Sequence, residues 1–167
     1  MGLTDLFNTP AGKLVGKQAP DFRLQDQDGN WVRLSDLTSQ GPVMLAFYPG
    51  DFTPVCTKQL CGYQDSLARF RAYGLNIVGI SPDSAEKHRK FIAEYGFEFP
   101  LLTDGDKQVF KEYGVISRLL LGIRSRAIFI VKKGGEVVYE KVEATSLTHR
   151  DSEELLETVK ALKGKLG

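Results

Sequence analysis

Val43-Met44-Leu45-Ala46-Phe47-Tyr48 runs directly into Pro49-Gly50-Asp51-Phe52-Thr53-Pro54-Val55-Cys56-Thr57-Lys58-Gln59-Leu60-Cys61, a stretch that holds both cysteines of the chain. The apolar run predicts a buried strand. Thr53 suits a helix N-cap, and Pro54 suits the first helical position, where its missing N–H costs nothing. Val55, Leu60, Tyr63, Leu67 and Phe70 then recur near helical spacing and predict one face turned to a core, while Lys58, Gln59, Gln64, Asp65, Arg69 and Arg71 fall mostly elsewhere. Gly74 ends that helix. The strand thus delivers Cys56 onto a first helical turn, where unpaired backbone N–H groups and the positive end of the helix dipole stabilise an anion. A thiol there shifts towards thiolate, so the pattern predicts a nucleophilic sulfur at Cys56.

Spacing limits what Cys61 can do. On an ideal helix the two Cα atoms stand about 8.6 Å apart, and disulfides seldom span more than about 7 Å. A resting disulfide is therefore not expected. Cys56 and Cys61 can bond only if the first turns of the helix unwind, which predicts a redox couple that works through a conformational change.

Pro49, Thr53 and Cys56 form the pattern Pro-x-x-x-Thr-x-x-Cys, and in this the chain resembles the peroxiredoxins, specifically the bacterioferritin-comigratory or PrxQ type. Cys61 matches the resolving position of that subgroup. The likeness extends to Gly16-Lys17-Gln18-Ala19-Pro20-Asp21-Phe22, to Phe47-Tyr48-Pro49 and to Arg126 ahead of Ala127 to Val131, and it covers about residues 14–163. It implies a thiol peroxidase acting on hydrogen peroxide and organic hydroperoxides. Cys56 would attack the terminal peroxide oxygen and become a sulfenic acid. Thr53 would direct its hydroxyl at the peroxide, Arg126 would supply fixed positive charge, and Pro49 would shield the sulfur from water. Cys61 would condense with the sulfenic acid to an intramolecular disulfide, which thioredoxin or a similar dithiol donor would reduce. No cofactor or metal is implied.

Alternatives are weaker. A thiol-disulfide oxidoreductase of the same fold would want Cys-x-x-Cys, and metal-binding thiols would want further His or Cys close by. Taken alone, Arg126 reads as a surface arginine, no better placed than Arg118 or Arg124. His88 and His149 read as residues of solvated faces.

The remaining chain alternates strands and helices. Phe22 to Leu24 and Trp31 to Leu34 flank Asp28-Gly29-Asn30 as a hairpin. Leu75 to Ile80 reads as a strand, and Asp83 with Glu86 as a capping box opening a helix that runs to Tyr95 and stops at Gly96. A brief strand at Pro100 to Leu102, a short helix from Lys107 to Tyr113, a hairpin of Ala127 to Val131 with Val137 to Lys141 across Lys133-Gly134-Gly135, and a helix from Ser152 to Leu162 complete the order. This predicts an α/β, thioredoxin-like fold: a central mixed sheet, flanking helices and an N-terminal β-hairpin.

At 167 residues with 42% hydrophobic content the chain can bury the core of one domain, expected over 14–167 behind an N-terminal extension, 1–13. Its 22 basic and 21 acidic side chains are interspersed, which argues against a nucleic-acid or anionic membrane partner. Two cysteines suit a reducing compartment with a transient, catalytic disulfide. No secretory signal or apolar span is legible, so the expected location is cytoplasmic. Leu119, Leu120 and Leu121 are unusually apolar for a loop and mark an expected association surface in a chain that is a monomer or homodimer.

Overall fold

The computed structural model describes residues 14–115, 126–143 and 152–167. The expected extension at 1–13, His149, Arg118, Arg124 and the apolar segment Leu119 to Leu121 lie outside the described residues. Among the described residues the strands are β1 (Arg23–Gln25), β2 (Trp31–Arg33), β3 (Val43–Phe47), β4 (Asn76–Ser81), β5 (Leu101–Thr103), β6 (Ala127–Val131) and β7 (Val137–Val142). The helices are α1 (Leu34–Gln40), α2 (Pro54–Asp65), α3 (Leu67–Ala72), α4 (Ala85–Tyr95), α5 (Gln108–Glu112) and α6 (Ser152–Ala161).

The strands form one sheet in the order β2-β1-β5-β4-β3-β6-β7. β3 pairs parallel to β4, and β4 to β5, while β3 with β6, β6 with β7, β1 with β2 and β1 with β5 are antiparallel. The expected mixed sheet with an added N-terminal hairpin is what forms.

Both faces of the central strands are covered, which is why they read as unbroken apolar runs rather than alternating ones. Met44, Ala46 and Tyr48 point to one core with Cys56, Leu60, Tyr63, Phe70, Phe91 and Leu155, beneath α2, α3, α4 and α6. Val43, Leu45 and Phe47 point to the other, with Leu34, Phe110, Tyr113 and Phe129. Each large side chain so buried contributes about 1.5–3 kcal/mol, and the two cores clamp β3 so that the turn after it leaves from a fixed point. Gly79 of β4 lies on the Cys56 side, where a Cβ would come within 2.6 Å of Leu101 and 3.3 Å of Tyr48. Its missing side chain makes room for the Tyr48 ring.

Three local expectations are corrected. The long helix after Thr53 is two: α2 ends at Asp65 and α3 starts at Leu67, with Ser66 between them at φ −100°, ψ 6°. Leu34 does not extend β2 but opens α1, where Asp21 accepts the Ser35 N–H at 2.9 Å. The cap of α4 is Ser84, whose hydroxyl oxygen accepts the Lys87 N–H at 3.2 Å, and not Asp83. Gly96 does close α4, in the left-handed conformation at φ 71°.

Candidate active site

Thr53 is the N-cap of α2 with extended backbone and Pro54 is its first residue, as their residue types require. The Thr53 hydroxyl does not cap the helix; it turns back and donates to the Gly50 carbonyl at 3.1 Å. Cys56 follows in the first turn and is fully buried. The inward face of α2 consists of Cys56, Gln59, Leu60 and Tyr63. Gln59 therefore lies on the core side, contrary to the expectation that it faces away, because it stands three residues after Cys56 and four before Tyr63.

Arg126 supplies the reason for burying that amide. It directly precedes β6, whose Ala127 pairs with Phe47 at the end of β3, so Arg126 and the turn that leads to Cys56 meet at the same end of the sheet. Far from being a surface residue, Arg126 is 2% exposed. Its Nη1 donates to Gln59 Oε1 at 2.8 Å, and Gln59 Nε2 donates to Tyr63 Oη at 2.8 Å. Burial raises the Tyr63 phenol above its ordinary range, an effect that the Gln59 hydrogen bond and the Arg126 charge only partly offset. The guanidinium is thus fixed one helical turn along the face that carries Cys56. Lysine could not repeat this arrangement, since it lacks the planar fork of donors.

Cys61 sits on the same helix but in a different setting. It is partly exposed, and both cysteines are free thiols. Burial, and secondarily the Asp65 carboxylate, push its thiol above the ordinary cysteine range. α2 is continuous from Pro54 through Cys61, so the separation of about 8.6 Å expected from helix geometry applies. Pro49, half-buried, begins the turn between β3 and α2.

A second polar cluster lies beneath that turn and was not legible as such. His88, expected on a solvated face, is fully buried. Its Nδ1 is 2.6 Å from Asp51 Oδ2, and its Nε2 is 3.2 Å from the Leu102 carbonyl. Tyr48 Oη donates to Asp51 Oδ1 at 2.6 Å, and burial together with the Asp51 charge holds this phenol well above its usual range. The signal in the sequence was position: His88 stands three residues before Phe91, and these two are the buried residues of α4.

Among the described residues no group of three or more His, Cys, Asp or Glu could hold a metal ion, and no helix is long and apolar enough to cross a membrane.

The model of the AhpC/TSA family matches residues 15–140. A chloroplastic peroxiredoxin Q of rice (Oryza sativa subsp. japonica) is 42% identical over 124 residues, 74% of this chain. The chain spans 57% of the length of that relative. The crystal structure of peroxidoxin BcpB from Mycobacterium tuberculosis shares 35% identity at a TM-score of 0.78, over 87% of this chain and 96% of that one. Xanthomonas campestris bacterioferritin comigratory protein, whose structures address its alkyl peroxide reduction activity, shares 27% identity at a TM-score of 0.75, over 85% of this chain and 92% of its own.

Proposed function

The chain belongs to the AhpC/TSA family, the peroxiredoxins, and from that premise we propose that it reduces hydrogen peroxide and organic hydroperoxides by way of a cysteine sulfenic acid and an intramolecular Cys56–Cys61 disulfide. The observation that carries this reading is the buried Cys56 in the first turn of α2, with the Arg126 guanidinium held by Gln59 on the same helical face.

In the first step the Cys56 thiolate attacks the terminal oxygen of the hydroperoxide. The O–O bond breaks, the sulfur becomes a sulfenic acid, and the departing alkoxide or hydroxide takes a proton from solvent and leaves as the alcohol or water. The helix N-terminus and Arg126 offset the negative charge that moves onto the leaving oxygen. Because the Thr53 hydrogen is committed to the Gly50 carbonyl, its oxygen offers lone pairs and orients the peroxide by accepting its O–H. Pro49 presents no N–H and keeps water from the sulfur.

In the second step the Cys61 sulfur attacks the Cys56 sulfenic acid, water leaves, and the disulfide forms. The first turns of α2 open to permit it. A dithiol protein, thioredoxin or a close equivalent, then exchanges with the disulfide and leaves as its own disulfide. That cycle belongs in a compartment kept reducing, for which we propose the cytoplasm. Steady-state consumption of hydrogen peroxide and of cumene hydroperoxide, with and without a thioredoxin system, tests the reading. Turnover that depends on the thioredoxin system supports it; no consumption of either peroxide contradicts it.

A further inference from the structure

Every residue of the turn from Gly50 to Thr53 is tied down. The Asp51 backbone N–H donates to Asp83 Oδ2 at 2.6 Å, and the Asp51 carboxylate is held at one oxygen by Tyr48 and at the other by His88. The Leu102 carbonyl can only accept, so His88 Nε2 carries a hydrogen, and one proton is shared between Nδ1 and Asp51 Oδ2. Asp83 is itself anchored: its N–H donates to Ser81 Oγ at 3.1 Å, and its carbonyl accepts the Thr103 hydroxyl at 2.8 Å. Gly50 passes so near that a Cβ there would lie 3.3 Å from Asp83 Oδ2.

The turn held in this way is strained. Phe52 has φ 64°, a left-handed conformation that an aromatic residue rarely takes, and its ring rests on Phe91 of α4 at 4.9 Å between centroids. Strain of this kind persists only while the surroundings enforce it. Besides Tyr48, the enforcing groups come from one place, the β4–α4 turn and the first two turns of α4, and they act on the residues directly ahead of Cys56.

We infer that Asp51, His88 and Asp83 are positioning residues that clamp the Pro49–Thr53 turn, and that release of this clamp governs the passage of Cys56 from the peroxide-facing state to the state that reaches Cys61. The clamp touches neither sulfur. This inference rests on the peroxidase reading for its chemistry, though not for the clamp itself. Its consequence is a pair of effects of opposite sign. A loosened clamp populates the released state, so oxidation of Cys56 slows while disulfide formation quickens. Residues that merely support the core would, on loss, lower both rates together.

Asp83→Ala is the primary variant, because Asp83 is partly exposed and its loss leaves the buried Tyr48–Asp51–His88 contacts in place. His88→Leu probes the buried member, and His88→Asn, whose amide can still donate towards Asp51, is its rescue. In stopped-flow and acid-quench experiments with one equivalent of hydrogen peroxide, Asp83→Ala should slow Cys56 oxidation and speed disulfide formation by factors whose product is about tenfold, as expected when loss of one hydrogen bond shifts a two-state balance. Asp83→Asn, which keeps an acceptor for the Asp51 N–H, should match the wild type in both steps. Parallel loss of both rates, or no change in either, overturns the clamp. Amide hydrogen exchange over residues 50–61 of the reduced proteins reads the clamp without any peroxide. It should be faster in Asp83→Ala than in the wild type and Asp83→Asn, and equal exchange in all three overturns the clamp whether or not the chain reduces peroxide. The expected exchange pattern in a wild type that consumes no peroxide would uphold the clamp and remove the peroxidase reading instead.

Discussion

At its first turn, α2 shuts Cys56 away from solvent on the face shared with Gln59, with Arg126 held beside it; five residues on, the same helix leaves Cys61 partly open, its thiol pushed up by burial and by Asp65. Two cysteines on one element thus have opposed electrostatics. The first lies in the field of a helix N-terminus and a fixed cation, the second beside an anion. The difference teaches that sequence proximity does not make the two thiols equivalent partners. One is buried on the face that Gln59 and Arg126 share, and the other is partly exposed, its thiol raised by burial and by Asp65.

The largest effect that could break this contrast comes from exchanging the sulfurs for oxygen. Cys56→Ser should abolish peroxide reduction, whereas Cys61→Ser should complete one rapid turnover and stop at the sulfenic acid, as trapped by dimedone and read by mass spectrometry. Activity retained in Cys56→Ser would place the nucleophile elsewhere. Next is the cation. Arg126→Met should lower the second-order rate with peroxide about tenfold or more, each decade corresponding to about 1.4 kcal/mol, while Arg126→Lys recovers only part of the loss. Disulfide formation, measured separately, should change much less in both.

Gln59 sharpens the comparison, since it belongs to the Cys56 side alone. Gln59→Met removes the acceptor that fixes Arg126 and the donor to Tyr63. It should cost about 1–3 kcal/mol of stability for the two buried hydrogen bonds lost, seen as a lowered urea midpoint, and should slow Cys56 oxidation less than loss of Arg126 does. The smallest effect belongs to the other end. Asp65→Asn removes a charge that raises the Cys61 thiol, so the pH profile of the resolving step should move to lower pH. At fixed pH on its rising limb the rate should increase by about twofold or less, the size of an exposed charge effect. An unchanged profile would leave burial as the whole cause.

Much of this architecture was legible in residue order. The apolar run to Phe47, the Thr53-Pro54 helix start and Gly96 at the end of α4 are local signals, and local signals survive folding. Ser66 is different: nothing in its neighbourhood of helix formers marks the break between α2 and α3. Asp83 and Ser84 compete for the same cap, and Asp83 is drawn away by the Asp51 N–H, 32 residues distant. Gln59 and His88 were misjudged, and Arg126 was legible only through the family resemblance, for one shared reason. Each is polar and buried, and each is satisfied by a partner far along the chain: Gln59 by Arg126, and His88 by Asp51, 37 residues before it. Polarity alone pointed them outward, and only the fold brings their partners within reach.

The central claim is that Cys56 and Cys61 occupy one helix when reduced and can bond only by giving it up. Amide hydrogen exchange across Thr53 to Cys61, compared before and after one equivalent of peroxide, tests it most directly. Slow exchange in the reduced protein and much faster exchange once mass spectrometry shows the Cys56–Cys61 disulfide is the predicted result. The same disulfide with exchange as slow as in the reduced form would contradict the account.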